Sequence, residues 1–195
     1  EKYAKKAETV VKVVASGIVR KSKYLWSTKS EGITADDFGK DFKPGDTITK
    51  DTGSGEWYLW VYLTDNDANR TIERSEVFKL DNTVPNAPQV KKTENSTKTA
   101  ATLEFSGSTS PSGIDKYQYT FDYGQSWTGV KADADGKATL VIDKSGQYNV
   151  RVRAVNNVGI PGEVSNTISV KIESSNGNNN NNNNNNGNNG DNGNN

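Results

Sequence analysis

The sequence GEWYLWVYLTDNDAN, residues 55–69, gives the clearest indication of how this chain folds. Successive side chains of an extended strand point to opposite faces, so a strand divides its residues into two alternating sets. One set here is Trp57, Leu59, Val61 and Leu63, and the other is Tyr58, Trp60 and Tyr62. Aromatic and β-branched residues in this alternation predict a β-strand.

The pattern occurs a second time in GQYNVRVRAVNNVG, residues 146–159. The two stretches align at an offset of 91 residues (146 − 55 = 91), which matches Asp65 with Asn156. The tripeptide SGI at residues 16–18 also recurs, at residues 112–114, with an offset of 96 (112 − 16 = 96). We interpret the small difference between the offsets as loop length and the whole pattern as an internal repeat.

Elsewhere, short apolar runs alternate with turn residues, and no apolar period of 3.6 residues is sustained beyond the charged N-terminal start. The strands that we expect include residues 9–15, 23–27, 57–64, 77–80, 102–106, 116–121, 138–142, 148–156 and 167–172. About seven strands in each copy of the repeat are typical of a β-sandwich. The sequence therefore predicts an all-β fold of two tandem β-sandwich modules.

The connection between the two copies is LDNTVPNAP, residues 80–88. Pro85 and Pro88 fix φ and remove backbone donors, which makes this segment a stiff, extended connection. We place the boundary near Pro85, so that module 1 covers residues 1–84 and module 2 covers residues 85–173.

The end of the chain, residues 174–195, consists almost entirely of Asn and Gly. It has no apolar surface to offset the entropy that ordering would cost, so we predict a disordered linker or tail. Asn-rich tracts can also self-associate through ladders of side-chain amides, but the interspersed glycines favour flexible spacing.

The overall charge excludes some partners. Lys and Arg together number 24, as do Asp and Glu, so the formal net charge is zero and nothing favours nucleic acid or an anionic membrane.

No apolar run approaches the roughly 18 residues of a membrane-spanning helix, and EKYAKKAE at the start lacks the apolar stretch of a signal peptide. The absence of Met leads us to expect a fragment of a longer protein.

Cys and His are both absent. The chain therefore has no thiolate nucleophile, disulfide or imidazole base, and it lacks the usual ligands of zinc, copper and iron. The Ser and Thr hydroxyls have no His to activate them. We expect no enzyme activity, no catalytic residue, no cofactor and no metal.

Several motifs carry a family resemblance: SGI, YLWVYLTDNDAN and LDNTVPNAP in the first copy, and SGIDKYQYTFDYGQSW and GQYNVRVRAVNNVG in the second. Over residues 8–172 the chain resembles the tandem immunoglobulin-like and fibronectin III-like repeats of bacterial secreted or cell-surface proteins. The resemblance implies Ig-like β-sandwiches and an extracellular or cell-surface location more than a biochemical activity. Asp67 and Arg70 depart from the family's usual turn, and Asn156 replaces its leading Asp, which weakens any shared metal role.

The segment TFDYGQSW, residues 120–127, fits the Asp-box pattern that is also known from sialidases and propeller proteins. Its chemistry is that of a turn, because Asp122 can accept hydrogen bonds from backbone donors and Gly124 can supply a positive φ. Trp127 is expected to pack beneath the hairpin. We interpret the motif as a structural turn in preference to a catalytic site.

Four oxygen-bearing side chains, those of Asp65, Asn66, Asp67 and Asn69, lie close together after the first repeat strand. Calcium prefers six to eight oxygen ligands, often from such loops. The stretch lacks the bidentate Glu of a twelve-residue calcium loop, and the matching turn of the second copy offers only amides. Asx-turn capping is therefore the preferred interpretation.

The aromatic stripe of Tyr58, Trp60 and Tyr62 is the candidate ligand-binding site. It aligns with Asn149, Arg151 and Arg153 in the second copy, so a sandwich of this kind can expose that face. An exposed stripe could stack on sugar rings or on a partner protein. The alternative, which we prefer, is that neighbouring residues such as Leu25 cover it as a cross-strand cluster.

These observations predict a non-catalytic structural spacer or adhesion module of a bacterial cell-surface or secreted protein. The alternative is an accessory carbohydrate- or protein-binding module of a secreted glycan-degrading enzyme. The expected partners are a glycan or a host or cell-surface protein, and we expect the chain to be monomeric.

Overall fold

The computed structural model describes residues 2–15 and 17–175, and its only helical element there is the 3-10 turn Ala35–Asp37. The strands are β1 (Ala7–Val10), β2 (Val19–Ser27), β3 (Lys40–Asp41), β4 (Thr47–Lys50), β5 (Gly55–Asp65), β6 (Arg70–Arg74), β7 (Phe78–Leu80), β8 (Gln89–Lys92), β9 (Ala101–Ser106), β10 (Ile114–Thr120), β11 (Thr128–Lys131), β12 (Ala138–Ile142), β13 (Gly146–Asn156), β14 (Pro161–Val164) and β15 (Ile168–Ile172). The prediction of an all-β fold is confirmed.

Strands β1–β7 form the N-terminal sandwich. β1 and β4 make a two-stranded antiparallel sheet, and the second sheet has the order β3-β2-β5-β6, with β7 paired to the start of β5. The register of β2 and β5 places Tyr24 opposite Val61 and Trp26 opposite Leu59. Their side chains belong to one apolar cluster between the sheets.

Strands β8–β15 form the C-terminal sandwich. One sheet has the order β12-β9-β8, and the other has the order β11-β10-β13-β14, with β15 paired to the first half of β13. Across the described residues, no sheet combines strands from both sides of the connection at residues 81–88. The prediction of two tandem sandwiches is therefore confirmed, whereas the exact boundary at residue 84 stays a prediction.

The two sandwiches differ in how they bury apolar side chains. The C-terminal sandwich has one core between its sheets, which includes Leu103, Phe105, Tyr117, Val150 and Val152. The sheet of β2 and β5 in the N-terminal sandwich instead has an apolar cluster on each face. The second of these clusters lies under the connection between β2 and β3, residues 28–39, which we call the covering loop.

The sequence did not predict β3, β4, β6, β8, β11 and β14, because these strands are short and mostly polar. The prediction for residues 9–15 is wrong for its second half, since β1 spans Ala7–Val10. The reason is its partner: β1 pairs only with the four residues of β4, and Val10 opposes the first of them, Thr47. Val14, beyond the end of this pairing, is fully exposed.

The disorder predicted for residues 174–195 falls mainly on residues 176–195, which lie outside the described residues. Ser16 of the SGI repeat lies outside them as well. In the part of the chain that is described, no helix is long and apolar enough to cross a membrane.

Candidate functional site

The aromatic stripe of the N-terminal sandwich lies largely under the covering loop. Trp60 is 9% exposed and Tyr62 is 7% exposed, and both pack in a cluster with Phe38. The rings of Phe38 and Tyr62 have centroids 5.6 Å apart, and the Trp60 indole Nε1 donates a 3.1 Å hydrogen bond to the Lys29 carbonyl oxygen. Two of the three candidate ligand-binding rings are therefore covered by their own chain.

Tyr58, the third ring of the stripe, is partly exposed. The Arg74 guanidinium lies over it, with Cζ 4.6 Å from the ring centroid, and Arg74 also donates a 2.9 Å hydrogen bond to the carbonyl oxygen of Ser30 in the covering loop. The cation therefore stacks on one face of Tyr58 and helps to hold the covering loop. The stripe presents no open row of three rings.

The Asp-box segment forms the turn between β10 and β11. The Asp122 carboxylate accepts hydrogen bonds from the Ser126 backbone N–H (3.0 Å) and from the hydroxyls of Ser126 and Thr120. Gly124 has φ of 100°, and a side chain there would lie 3.4 Å from the Trp127 ring. Asp122, Gly124 and Trp127 thus meet in one compact turn, and the carboxylate is fully engaged within it.

Tyr123, between Asp122 and Gly124, was not singled out by the sequence. Its φ is 59°, a left-handed conformation that is unfavourable for a bulky residue, and its side chain is 63% exposed. Its hydroxyl accepts a 3.0 Å hydrogen bond from the Asn149 amide. The turn therefore holds an aromatic ring in solvent at a cost in backbone energy.

Removal of the Asp122 carboxylate is expected to lower the melting temperature. Hydrogen bonds from the Ser126 side chain and backbone and from Thr120 hold the pKa of Asp122 well below its ordinary value of 3.8. A depressed pKa contributes stability above the unfolded-state pKa that is lost as the pH falls below it. The difference in melting temperature between the unmodified protein and Asp122→Asn should therefore shrink from about pH 5 to about pH 2, as thermal melts by circular dichroism would show. If the melting temperatures of the two proteins differ by the same amount at about pH 5 and at about pH 2, the prediction is wrong.

The acidic turn after β5 is an Asx turn. The Asp65 carboxylate accepts hydrogen bonds from the backbone N–H groups of Asp67 and Asn69, both at 2.9 Å, and from the Asn69 side-chain amide at 2.8 Å. The Asn69 hydrogen bond is the main cause that lowers the pKa of Asp65. Among the described residues, no three acidic side chains are grouped so that they could hold a metal ion. That the chain binds no metal stays a prediction.

The sequence did not suggest the Asp81 carboxylate in the connection between the sandwiches, which accepts more hydrogen bonds than the carboxylates of Asp65 and Asp122. Asp81 is 0% exposed and accepts hydrogen bonds from five donors. These are the backbone N–H of Thr83 (2.9 Å), the Ser112 N–H (2.9 Å) and hydroxyl, the Ser110 hydroxyl and the Asn156 amide (3.1 Å). Most of them belong to the C-terminal sandwich and its loops.

The same connection is also bonded to the N-terminal sandwich. The Asp81 backbone N–H donates to the Ala4 carbonyl oxygen at 2.9 Å, and the Asn82 side-chain amide donates to the Lys5 carbonyl oxygen at 2.8 Å. The Asn82 backbone N–H donates to the Ser54 hydroxyl at 2.8 Å. Residues 81–83 are thus bonded to both sandwiches at once.

Beyond Asp81, the connection packs closely on β14. The Glu163 N–H donates to the Pro85 carbonyl oxygen at 2.9 Å. A Cβ on Gly162 would lie 2.5 Å from the same oxygen, so the close approach requires glycine there. We call the contacts of Asp81, Asn82, Pro85, Asn156 and Gly162 the junction.

The electrostatics of the junction follow from its donors. Burial raises the pKa of the Asp81 carboxyl, but hydrogen bonds from Ser110, Ser112 and Thr83 outweigh that effect and lower the pKa from 3.8 to about 2. The carboxylate is therefore charged throughout the neutral range and is stabilised by hydrogen-bond donors.

A sequence signal for this site did exist. Asp81 lies in the segment between the repeats, and Asn156 occupies the position that Asp65 holds in the first copy. The amide at position 156 donates to Asp81, whereas a carboxylate there could not. The departure from the first copy therefore marks a residue that serves the junction.

Comparison with known proteins gives structural similarities only. No family model matches the chain, and no curated protein matches it in sequence. The chain is similar to the Clostridium thermocellum CbhA fibronectin(III)-like modules, with 13% identity, TM-score 0.40, and coverage of 88% of this chain and 87% of that one. It is also similar to a cytokine receptor complex (12% identity, TM-score 0.38, 88% and 93% covered) and to chicken CNTN1 FN1-FN3 domains (12%, 0.39, 89% and 64%).

Proposed function

We propose that this chain is a non-catalytic, rigid tandem spacer that holds other parts of a secreted or cell-surface bacterial protein at a set distance and orientation. The observation that supports the proposal is the junction, in which the buried Asp81 carboxylate accepts five hydrogen bonds. Two sandwiches need no such site in order to fold separately. They do need one to keep a constant mutual orientation.

A flexible connection would look different. Domain linkers are usually exposed and make few contacts, so that relative motion of domains is the ordinary expectation. Here Leu80, Asp81 and Pro85 are buried, and residues 81–83 are bonded to both sandwiches. Each hydrogen bond that spans the junction raises the free energy of bending it.

The remaining features agree with a spacer. The absence of Cys and His leaves few routes to catalysis. The alternative, an accessory carbohydrate- or protein-binding module, would need a face other than the stripe of Tyr58, Trp60 and Tyr62, because Trp60 and Tyr62 are buried.

The spacer proposal predicts a single, narrow distance between the two sandwiches in solution. Because the chain has no cysteine, Thr71→Cys on β6 and Thr139→Cys on β12 give two unique, exposed sites for spin labels. Pulsed dipolar spectroscopy should give one narrow distance distribution. The control is the same labelled chain with a short Gly-Ser insertion between Asn82 and Thr83, which should broaden the distribution. If the distance distribution of the chain without the insertion is as broad as that of the control, the proposal is wrong.

A further inference from the structure

The outer face of the C-terminal sandwich is partly exposed and lacks the long loop that covers the equivalent face of the N-terminal sandwich. The connection from β2 to β3 spans residues 28–39 and covers Trp60 and Tyr62, whereas the connection from β10 to β11 is only the Asp-box turn, residues 121–127. In the aligned strand β13, this face carries Asn149, Arg151 and Arg153.

Two arginines on this face are held in place by neutral neighbours. Arg151 Nε donates to the Thr167 hydroxyl at 3.0 Å, and Arg153 Nε donates to the Gln118 side-chain oxygen at 2.9 Å. Each guanidinium also lies beside an aromatic ring: Arg153 Cζ is 4.1 Å from the Trp127 centroid, and Arg151 Cζ is 5.9 Å from that of Tyr123. These contacts orient both cations before any ligand arrives.

Neither arginine is neutralised within the described part of the chain. The ion pairs there join Lys6 to Glu8, Lys23 to Asp41, Lys79 to Glu56 and Lys131 to Asp115, and none includes Arg151 or Arg153. Asp122, in the adjacent turn, directs its carboxylate to Ser126 and Thr120. Two oriented guanidinium groups without a carboxylate partner favour an anionic ligand.

Tyr123 adds a second kind of recognition to the same face. Its ring is exposed at the tip of the turn, and the left-handed backbone that places it there costs free energy that a glycine would save. Strained backbone of this kind clusters at functional sites, so the strain points to a functional role for the ring. An exposed ring beside cations and the polar side chains of Asn149, Thr167 and Ser169 suits a sugar ring with hydroxyls.

From this arrangement we propose that the face formed by Tyr123, Arg151 and Arg153 binds an acidic carbohydrate, with Tyr123 against the sugar ring and the guanidinium groups paired with its carboxylate. This site goes beyond the proposed spacer function and does not depend on it. We favour a glycan over an acidic peptide, because a peptide carboxylate would use the arginines but would leave the strained ring without a role.

The test is binding to an immobilised panel of oligosaccharides bearing uronic or sialic acids, beside sulfated and neutral oligosaccharides and a poly-glutamate peptide. We expect binding to the carboxylate-bearing sugars that weakens with added salt. Arg151→Gln and Tyr123→Gly should each reduce the affinity about tenfold or more, which corresponds to the loss of one oriented contact.

The variants also separate binding from folding. Tyr123→Gly relieves the left-handed strain, so its melting temperature should not fall although its affinity does. Arg70→Gln, at an exposed position on β6, is the matched control and should bind like the unmodified protein. The proposal fails if no acidic sugar binds, if neutral sugars, sulfated sugars or poly-glutamate bind as well as the carboxylate-bearing sugars, or if Arg151→Gln and Tyr123→Gly keep full affinity.

Discussion

Replacement of Asp81 with alanine is expected to lower the free energy of unfolding by about 3 kcal/mol or more, because it leaves several buried donors without an acceptor. The groups affected are the N–H groups of Thr83 and Ser112 and the hydroxyls of Ser110 and Ser112. Urea denaturation of Asp81→Ala against the unmodified protein measures the change. A loss below about 1 kcal/mol, as at an ordinary surface position, would contradict the role assigned to Asp81.

The same carboxylate gives the stability a specific dependence on pH. Its pKa is about 2 in the folded protein against an ordinary value of 3.8. A carboxyl with a depressed pKa contributes fully above the unfolded-state value and loses its contribution as the pH falls toward the folded-state value. The difference in stability between the unmodified protein and Asp81→Ala should therefore narrow as the pH is lowered from about 4 to about 2.

A second variant separates the charge of Asp81 from the geometry of the junction. Gly162→Ala leaves every donor to Asp81 in place but brings a methyl group against the Pro85 carbonyl oxygen. It should broaden the distance distribution between spin labels on the two sandwiches. The difference in unfolding free energy between Gly162→Ala and the unmodified protein should stay the same as the pH is lowered. If Gly162→Ala leaves that distribution narrow, the contact between Pro85 and β14 does not set the orientation.

The second large effect is expected at Trp60. Trp60→Ala should destabilise the N-terminal sandwich by about 3–5 kcal/mol, the usual range for removal of a buried Trp or Phe from a core. The loss combines the cavity beside Phe38 and Tyr62 with the hydrogen bond to the Lys29 carbonyl oxygen. Denaturant unfolding followed by NMR signals of the N-terminal sandwich measures it.

Tyr58→Ala is the matched control for Trp60→Ala. Tyr58 lies on the same strand and the same face but is partly exposed, so its removal should lower the free energy of unfolding clearly less than removal of Trp60. Amide hydrogen exchange in the covering loop should accelerate in Trp60→Ala more than in Tyr58→Ala. A Trp60→Ala protein with unchanged stability would contradict the burial of Trp60 under the covering loop.

Much of the architecture could be predicted from alternation alone. The strands β5 and β13 were expected from the alternating residues around Trp60 and Val152, and the structure gives both with matching ends at Asp65 and Asn156. The short strands β3 and β11 could not be predicted, because a few polar residues become a strand only when a neighbour supplies their hydrogen bonds.

Of the candidate sites, those built from local contacts could be predicted from the sequence, whereas those that depend on distant parts of the chain could not. The Asp-box turn could be predicted, because Thr120, Asp122 and Ser126 bond to one another within a few residues of chain. The exposure of the aromatic stripe could not, since it depends on whether a loop from another part of the chain folds over Trp60.

The two faces of β5 and β13 follow from the amino-acid sequence alone, because alternation along an extended strand depends only on residues one and two positions apart. Pro85 and Pro88 likewise restrict their own backbone, and the internal repeat needs only that two stretches 91 residues apart share a pattern. The burial of Trp60, the partial exposure of Arg151 and the place of Asp81 at the junction depend on tertiary contacts. These contacts join residues that are far apart along the chain. Asn156 lies 75 residues beyond Asp81, and a hydrogen bond between them exists only when the chain folds back to bring them together.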